Sequence, residues 1–185
     1  MWQLCEWLNE PAKWAIERSA LHVTTETHTD FWRETGYGYT RDSGHFFGRK
    51  IGGDFAARLR IRANYTGQYD QAGLMLRIDD SRWVKFGTEF FDGRSILSSV
   101  VTADRSDWAI GAFAGATDDF HLRATLRNGA LHLEASQDRH AWTLMRLAPF
   151  ATSASCLVGP MCCTPERAGL NVVFSDFEVE QTAER

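Results

Sequence analysis

A chain of 185 residues with 44% hydrophobic and 12% aromatic side chains has the means to bury a sizeable core, which excludes a disordered tail or linker. Its 20 basic residues are scattered among 24 acidic ones for a net charge of -4, so no basic stripe exists to follow a phosphate backbone and no nucleic acid partner is expected. No stretch approaches the roughly 20 apolar residues that span a bilayer, and MWQLCEWLNEP has neither a basic n-region nor a continuous apolar h-region, so no membrane partner is expected and the predicted location is cytoplasmic.

In chain order, the opening shows no clean period, and a helical turn or loop is expected between Trp7 and Trp14. SALHVTTETHTDFW then alternates apolar and polar residues and runs into TGYGYTRDSGHFFG, rich in turn residues and aromatic rings. FAARLRIRANY has period two, placing Phe55, Ala57, Leu59, Ile61 and Ala63 on one face and Arg58, Arg60 and Arg62 on the other. One face belongs to a core and the other to water. QAGLMLRID, RWVKFGTEF, ILSSVVT, DFHLRATLRNG, ALHLEASQ, AWTLMRLA and AGLNVVFSDFEVE follow at the spacing of about 8 to 12 residues expected of a sandwich. Asp79-Asp80-Ser81, Asp92-Gly93 and Asn128-Gly129 read as hairpin turns. Ser106-Asp107-Trp108 reads as a turn held by side-chain to backbone hydrogen bonds, with the indole packed beside it. Arg146 is expected in a structural pair. Pro149, Pro160 and Pro165 bracket a predicted late loop. Without repeat, linker or low-complexity segment, residues 1–185 read as a single all-β domain of two antiparallel sheets.

Three of the 4 cysteines, Cys156, Cys162 and Cys163, fall in that predicted loop, and Cys5 is remote. A vicinal pair makes a poor disulfide framework, so free thiols are expected. Neither a second CxxC nor a His-x3-His accompanies them, and no metal or cofactor is expected.

One hairpin reveals its register. If Asp79 to Ser81 form its turn, Met75 lies opposite Lys85, Gly73 opposite Gly87 and Gln71 opposite Glu89. Those residues share a face with Arg77 and Trp83, while Leu74, Leu76, Ile78, Val84, Phe86 and Phe90 form the buried layer. The two glycines leave a floor without side chains, hence a shallow trough. Lys85 and Glu89 stand roughly 13 Å apart at about 3.3 Å per residue, too far for a simple ion pair. Two readings stay open on these residues alone: a solvated sheet face with ordinary charges, or a trough in which Lys85 and Glu89 hold a ligand or cross-strand partners among Asp70, Gln71, Arg77 and Ser98.

The ordered blocks DFWRETGYGYTRDSGHFF, GDF, YDQAGLMLRIDD, RWVKFGTEFFDG, LSSVVT, SDW and VGPMCCTPERAGLNVVFSDFEV cover nearly the whole chain. They resemble the domain-of-unknown-function family 1349, also described as regulation-of-enolase proteins. DQAG, the K-x-G-x-E pattern of Lys85, Gly87 and Glu89, and SDW are the most telling blocks, and Cys163-Thr164-Pro165 departs mildly from a CSP-like stretch. The resemblance implies a concanavalin A-like jelly-roll β-sandwich whose concave face carries Gln71, Lys85 and Glu89. In such a trough aromatic rings stack on sugar faces and polar groups bond hydroxyls. The expectation is therefore noncatalytic binding of a carbohydrate or sugar-like metabolite by Asp70, Gln71, Arg77, Trp83, Lys85 and Glu89, with Trp32, Tyr37 and Trp108 as rings and His45 in an aromatic loop that folds over the trough. The alternative from the family's description is a regulatory interaction with a metabolic enzyme, and a sandwich edge or convex face also allows a homodimer. A glycoside hydrolase or lyase using Glu89, Asp70 and Lys85 is a second alternative. It lacks the E-x-D-x-x-E strand motif of concanavalin A-like glucanases, and no catalytic residue is assigned.

Overall fold

A computed structural model describes residues 2–150 and 155–182. After one 3₁₀ turn at Trp2–Leu4, the strands in chain order are β1 (Cys5–Leu8), β2 (Lys13–Glu17), β3 (Ala20–Thr24), β4 (Phe31–Arg33), β5 (Thr40–Asp42), β6 (His45–Gly52), β7 (Phe55–Ala63) and β8 (Gln71–Arg77). They continue with β9 (Arg82–Phe91), β10 (Arg94–Ala103), β11 (Arg105–Gly111), β12 (Asp119–Arg127), β13 (Ala130–Ser136), β14 (Thr143–Pro149), β15 (Ser155–Cys163) and β16 (Asn171–Gln181). A front sheet runs β1-β6-β15-β8-β9-β10-β11, a back sheet runs β14-β13-β12-β7-β16-β3-β2, and β4-β5 is a separate hairpin. Every pairing is antiparallel, and the chain crosses between the two large sheets at β1–β2, from β3 to β6 by way of the β4-β5 hairpin, and at β6–β7, β7–β8, β11–β12, β14–β15 and β15–β16, giving a jelly-roll sandwich. No helix among the described residues is long and apolar enough to cross a membrane.

The back sheet follows its period. Phe55, Ala57, Leu59 and Ile61 of β7 are buried against the front sheet. On the opposite face Arg60 grips Asp119 through two hydrogen bonds of 2.8 and 2.9 Å, and Arg58 pairs with Glu180 at 3.1 Å. The front sheet breaks its period because it is covered twice. Leu74, Leu76, Val84 and Phe86 face the sandwich interior, while Met75, Trp83, Val100, Met161 and Cys163 form a second apolar cluster with Phe31, Trp32 and Phe46 on the outer face. Strands buried on both faces lose polar alternation, and every residue of β8 is buried.

Turn chemistry holds at the two hairpins expected to have two central residues. Asp92 and Gly93 have φ of 51° and 76°, and Asn128 and Gly129 have φ of 48° and 74°, the left-handed pair that a type I′ turn requires. A loop at residues 9–12 lies between Trp7 and Trp14, whose own residues are in β1 and β2 and whose rings pack on Phe47 at centroid distances of 4.6 and 5.8 Å. Two local expectations fail. Ser106-Asp107-Trp108 is not a turn but lies within β11, with Trp108 opposite Val100. Pro160 sits inside β15 rather than in a loop with Cys156, Cys162 and Cys163. The strand tolerates it because pairing with β6 lapses between Val158 and Met161, where a backbone N–H is not needed. All four cysteines are free and buried, and burial pushes the Cys5 thiol up to about 11 and the Cys156 thiol up to about 12.

Gly73 and Gly87 face each other across β8 and β9 as the hairpin register predicts. A Cβ on Gly73 would lie 2.0 Å from the Phe86 carbonyl oxygen, and one on Gly87 would lie 2.2 Å from that of Ala72, so the backbones meet where no side chain fits. Gly87→Ala is expected to cost at least about 2 kcal/mol in denaturant unfolding, whereas Gly111→Ala, with open space around it, stays within about 0.5 kcal/mol.

Candidate functional site

The register of the front sheet sets the site floor. Gln71 lies opposite Glu89, Met75 opposite Lys85, Lys85 opposite Val100 and Val100 opposite Trp108. The β4-β5 hairpin stands over this floor and contributes Trp32, Tyr37, Tyr39 and Arg41. Tyr69, Pro165 and Glu166 complete the wall of a cleft of about 300 Å³, at the small end of the range for small-molecule sites. The rings form a connected series: Trp32 and Tyr37 meet edge to face at 5.5 Å, Tyr37 and Tyr39 stack at 5.6 Å, and the Arg41 guanidinium lies 4.6 Å over Tyr39. Tyr37 is 54% exposed at the mouth.

A buried polar network occupies the floor. Lys85, only 4% exposed, donates to Asp30 Oδ1 at 2.9 Å and to Gln71 Oε1 at 2.7 Å. Asp30 Oδ1 also accepts the Phe31 amide at 2.8 Å, which fixes the carboxylate at the start of β4. Burial alone would lower the pKa of Lys85, but the acidic groups around it together, Asp30 foremost with Cys163 and Glu89, more than compensate and hold it above its ordinary value. Glu89 accepts the Trp108 indole N–H at 3.0 Å on Oε2, and the same N–H reaches Ser98 Oγ at 3.0 Å. Burial raises the Glu89 pKa, against the opposing pull of Lys85 and of the Ser98 and Trp108 donors. Tyr69 adopts a left-handed φ of 62°, strained for a bulky residue. Among the described residues no three His, Cys, Asp or Glu side chains converge as a metal-binding group.

Six of the residues expected from sequence therefore line one cleft: Trp32, Tyr37, Gln71, Lys85, Glu89 and Trp108. Four stand elsewhere. Asp70 has no exposed surface and accepts the Thr66 and Gly67 amides at 3.1 and 2.9 Å together with the Arg167 guanidinium, so it holds the turn that presents Tyr69. Arg77 grips Asp42 with two bonds of 2.7 and 2.8 Å, tying the hairpin to β8. Trp83 is buried beside Phe31, its indole donating to the Asp80 carbonyl at 3.3 Å. His45 opens β6 instead of lying in a loop over the trough, its ring held between the Asn9 carbonyl at 2.7 Å and the Glu26 amide at 3.2 Å. Arg146 makes its expected pair with Asp107 at 2.7 Å. Sequence reasoning missed Asp30, Tyr39, Arg41, Tyr69 and Glu166 as cleft residues. The one available signal was the alternation of Tyr37 and Tyr39 in the turn-rich segment.

Residues 7–182 match the family model described as "Protein of unknown function (DUF1349)". The chain belongs to this family. Regulation of enolase protein 1 of Saccharomyces cerevisiae is 50% identical over 173 residues, 94% of this chain and 87% of that protein. The crystal structure of a functionally unknown protein from Saccharomyces cerevisiae superposes on this DUF1349 sandwich with a TM-score of 0.96 at 47% identity over 99% of each chain. The VIP36 exoplasmic/lumenal domain in its Ca²⁺/Man3GlcNAc-bound form gives a TM-score of 0.60 at 8% identity over 98% of this chain and 85% of that one. A mutant of the GH43 protein BlXynB from Bacillus licheniformis gives 0.75 at 14% identity over 97% of this chain and 37% of that one. The last two likenesses are of fold.

Removing one member of the buried pair leaves an uncompensated charge. Asp30→Ala is expected to cost about 3 to 5 kcal/mol in equilibrium unfolding, and adding Lys85→Met to recover most of it. Glu89 sets a pH dependence of stability. With its pKa raised in the folded state, its contribution is fully present below the unfolded-state value of about 4.3 and is lost as pH rises through the folded-state value. The stability of Glu89→Gln relative to the unsubstituted protein should accordingly increase with pH in parallel denaturant titrations; a constant difference would contradict the raised pKa.

Proposed function

We propose that the cleft binds a carbohydrate or sugar-like metabolite without breaking a bond in it. The observation that carries this reading is the union of a buried Lys85-Gln71-Asp30 and Glu89-Trp108 network with the Trp32, Tyr37 and Tyr39 rings around one small cleft. Sugars present both surfaces that such a site recognises: apolar C–H faces for the rings, and hydroxyls that donate to carboxylates and accept from ammonium or amide groups. The fold shared with the VIP36 domain, whose structure holds Man3GlcNAc, agrees only as analogy. Hydrolysis has less support: a glycosidase needs two carboxyl groups flanking the scissile bond, and of the possible mates of Glu89, Asp70 is engaged by Arg167 outside the cleft, Asp30 is ion-paired with Lys85 and Glu166 is exposed.

A second reading, regulatory contact with a metabolic enzyme, rests on the name of the Saccharomyces cerevisiae relative. Titrating purified enolase with the protein and following its activity and sedimentation tests that reading directly.

For the sugar reading, melting temperatures measured against mono- and oligosaccharides, sugar phosphates and uronic acids should rise with a bound sugar, by an amount equivalent to about 2.7 kcal/mol at a hundredfold excess over Kd. Tyr37→Ala should melt like the unsubstituted protein when unliganded and bind the sugar roughly three- to tenfold more weakly. A panel that leaves the melting temperature unmoved overturns the reading.

A further inference from the structure

Resting on the sugar-binding reading above, we infer that the cleft is built for a neutral sugar or polyol whose hydroxyl donates to Glu89, and that it disfavours the phosphorylated and uronate forms of the same sugar. Glu89 is 8% exposed and faces the cleft. Its Oε2 takes the Trp108 indole at 3.0 Å and the Ser98 hydroxyl stands beside the carboxylate, which leaves acceptor capacity on a group that can take more than two donors. A carboxylate oxygen is an acceptor only, so the group that completes it must carry a hydrogen. A sugar hydroxyl does, whereas a phosphate or carboxylate at neutral pH brings acceptors and a like charge into a site with little water to screen them.

The cations of the cleft are poorly placed to offset that repulsion. Lys85 has two of its three donors on Asp30 and Gln71, which leaves one N–H for a ligand oxygen. Arg41 lies over the Tyr39 ring at the wall, in a cleft that also contains Glu166. Three carboxylates thus share the cleft with two cations, and the deeper cation already has its counter-ion. Between Lys85 and Glu89 along β9 lies Gly87, opposite Gly73, so no side chain of either strand separates the two groups. The end of the ligand that reaches this floor is therefore uncharged and rich in hydroxyls.

The test is calorimetric titration of D-glucose, D-galactose and D-mannose against the 6-phosphate and uronate of each. The neutral member of at least one set should bind ten times or more tightly than its charged relatives, and Glu89→Gln should weaken that neutral sugar about tenfold while narrowing the preference. Charged members that bind as tightly as the neutral one, or more tightly, overturn the selectivity and leave the sugar reading standing. Equal binding of the neutral sugar by Glu89→Gln removes Glu89 from the contact. Absence of binding across all nine compounds defeats the sugar reading itself. A melting temperature of unliganded Glu89→Gln no lower than that of the unsubstituted protein establishes that its weaker binding is not a folding defect.

Discussion

The contact of Lys85 with Asp30 organises the outer half of this protein. It joins residues 55 positions apart in the chain, one at the centre of the front sheet and one at the foot of the β4-β5 hairpin. An ammonium with so little exposure is tolerable only with a carboxylate and further acceptors around it. Asp30 meets that demand while capping the first amide of β4, so the same carboxylate that neutralises the floor starts the roof. Phe31 and Trp32 then cover Met75, Trp83 and Val100. Arg77 and Asp42 secure the returning strand of the hairpin. A sheet face that an ordinary sandwich leaves to water becomes an interior with one opening.

That arrangement explains how charge and apolar surface coexist over a few residues. The second apolar cluster lies along the Met75, Val100 and Trp83 side of the floor, and the polar groups lie toward Gln71 and Glu89. The glycine pair separates Lys85 from Glu89 along the strand without filling the space between them. The strained Tyr69 backbone has a counterpart just beneath it, where Asp70 gathers two amides and a guanidinium. Local strain held by a dense hydrogen-bond cluster is common where a side chain must be aimed into a site.

Much of this was legible in the chain. A single turn, Asp79 to Ser81, fixed which residues oppose which, because an antiparallel hairpin leaves no freedom once its turn is placed. The Gln71–Glu89, Gly73–Gly87 and Met75–Lys85 pairs all follow from it. Partners from outside the hairpin were not legible: no local rule connects Asp30 to Lys85, or Asp42 to Arg77. Asp70, Arg77, Trp83 and His45 carry the residue types of a binding site, yet each has its polar atoms engaged within the fold. Pro160 misled for a related reason, since a proline inside a central strand requires a gap in the ladder that only the partner strand reveals. Periodicity was reliable on the back sheet and failed on the front one, where both faces are covered.

The covering of the front sheet also redistributes the surface available to anything larger than a metabolite. With the hairpin seated on its outer face, that sheet offers a macromolecule only a narrow opening and its two margins, β1 and β11. The broad face left over belongs to the back sheet, where Glu134, Arg123, Arg58 and Glu178 fall in one row across β13, β12, β7 and β16. The aromatic recess and the charged row thus stand on opposite sides of the same sandwich, the row with two guanidiniums between two carboxylates, so a substitution on either side leaves the chemistry of the other unchanged.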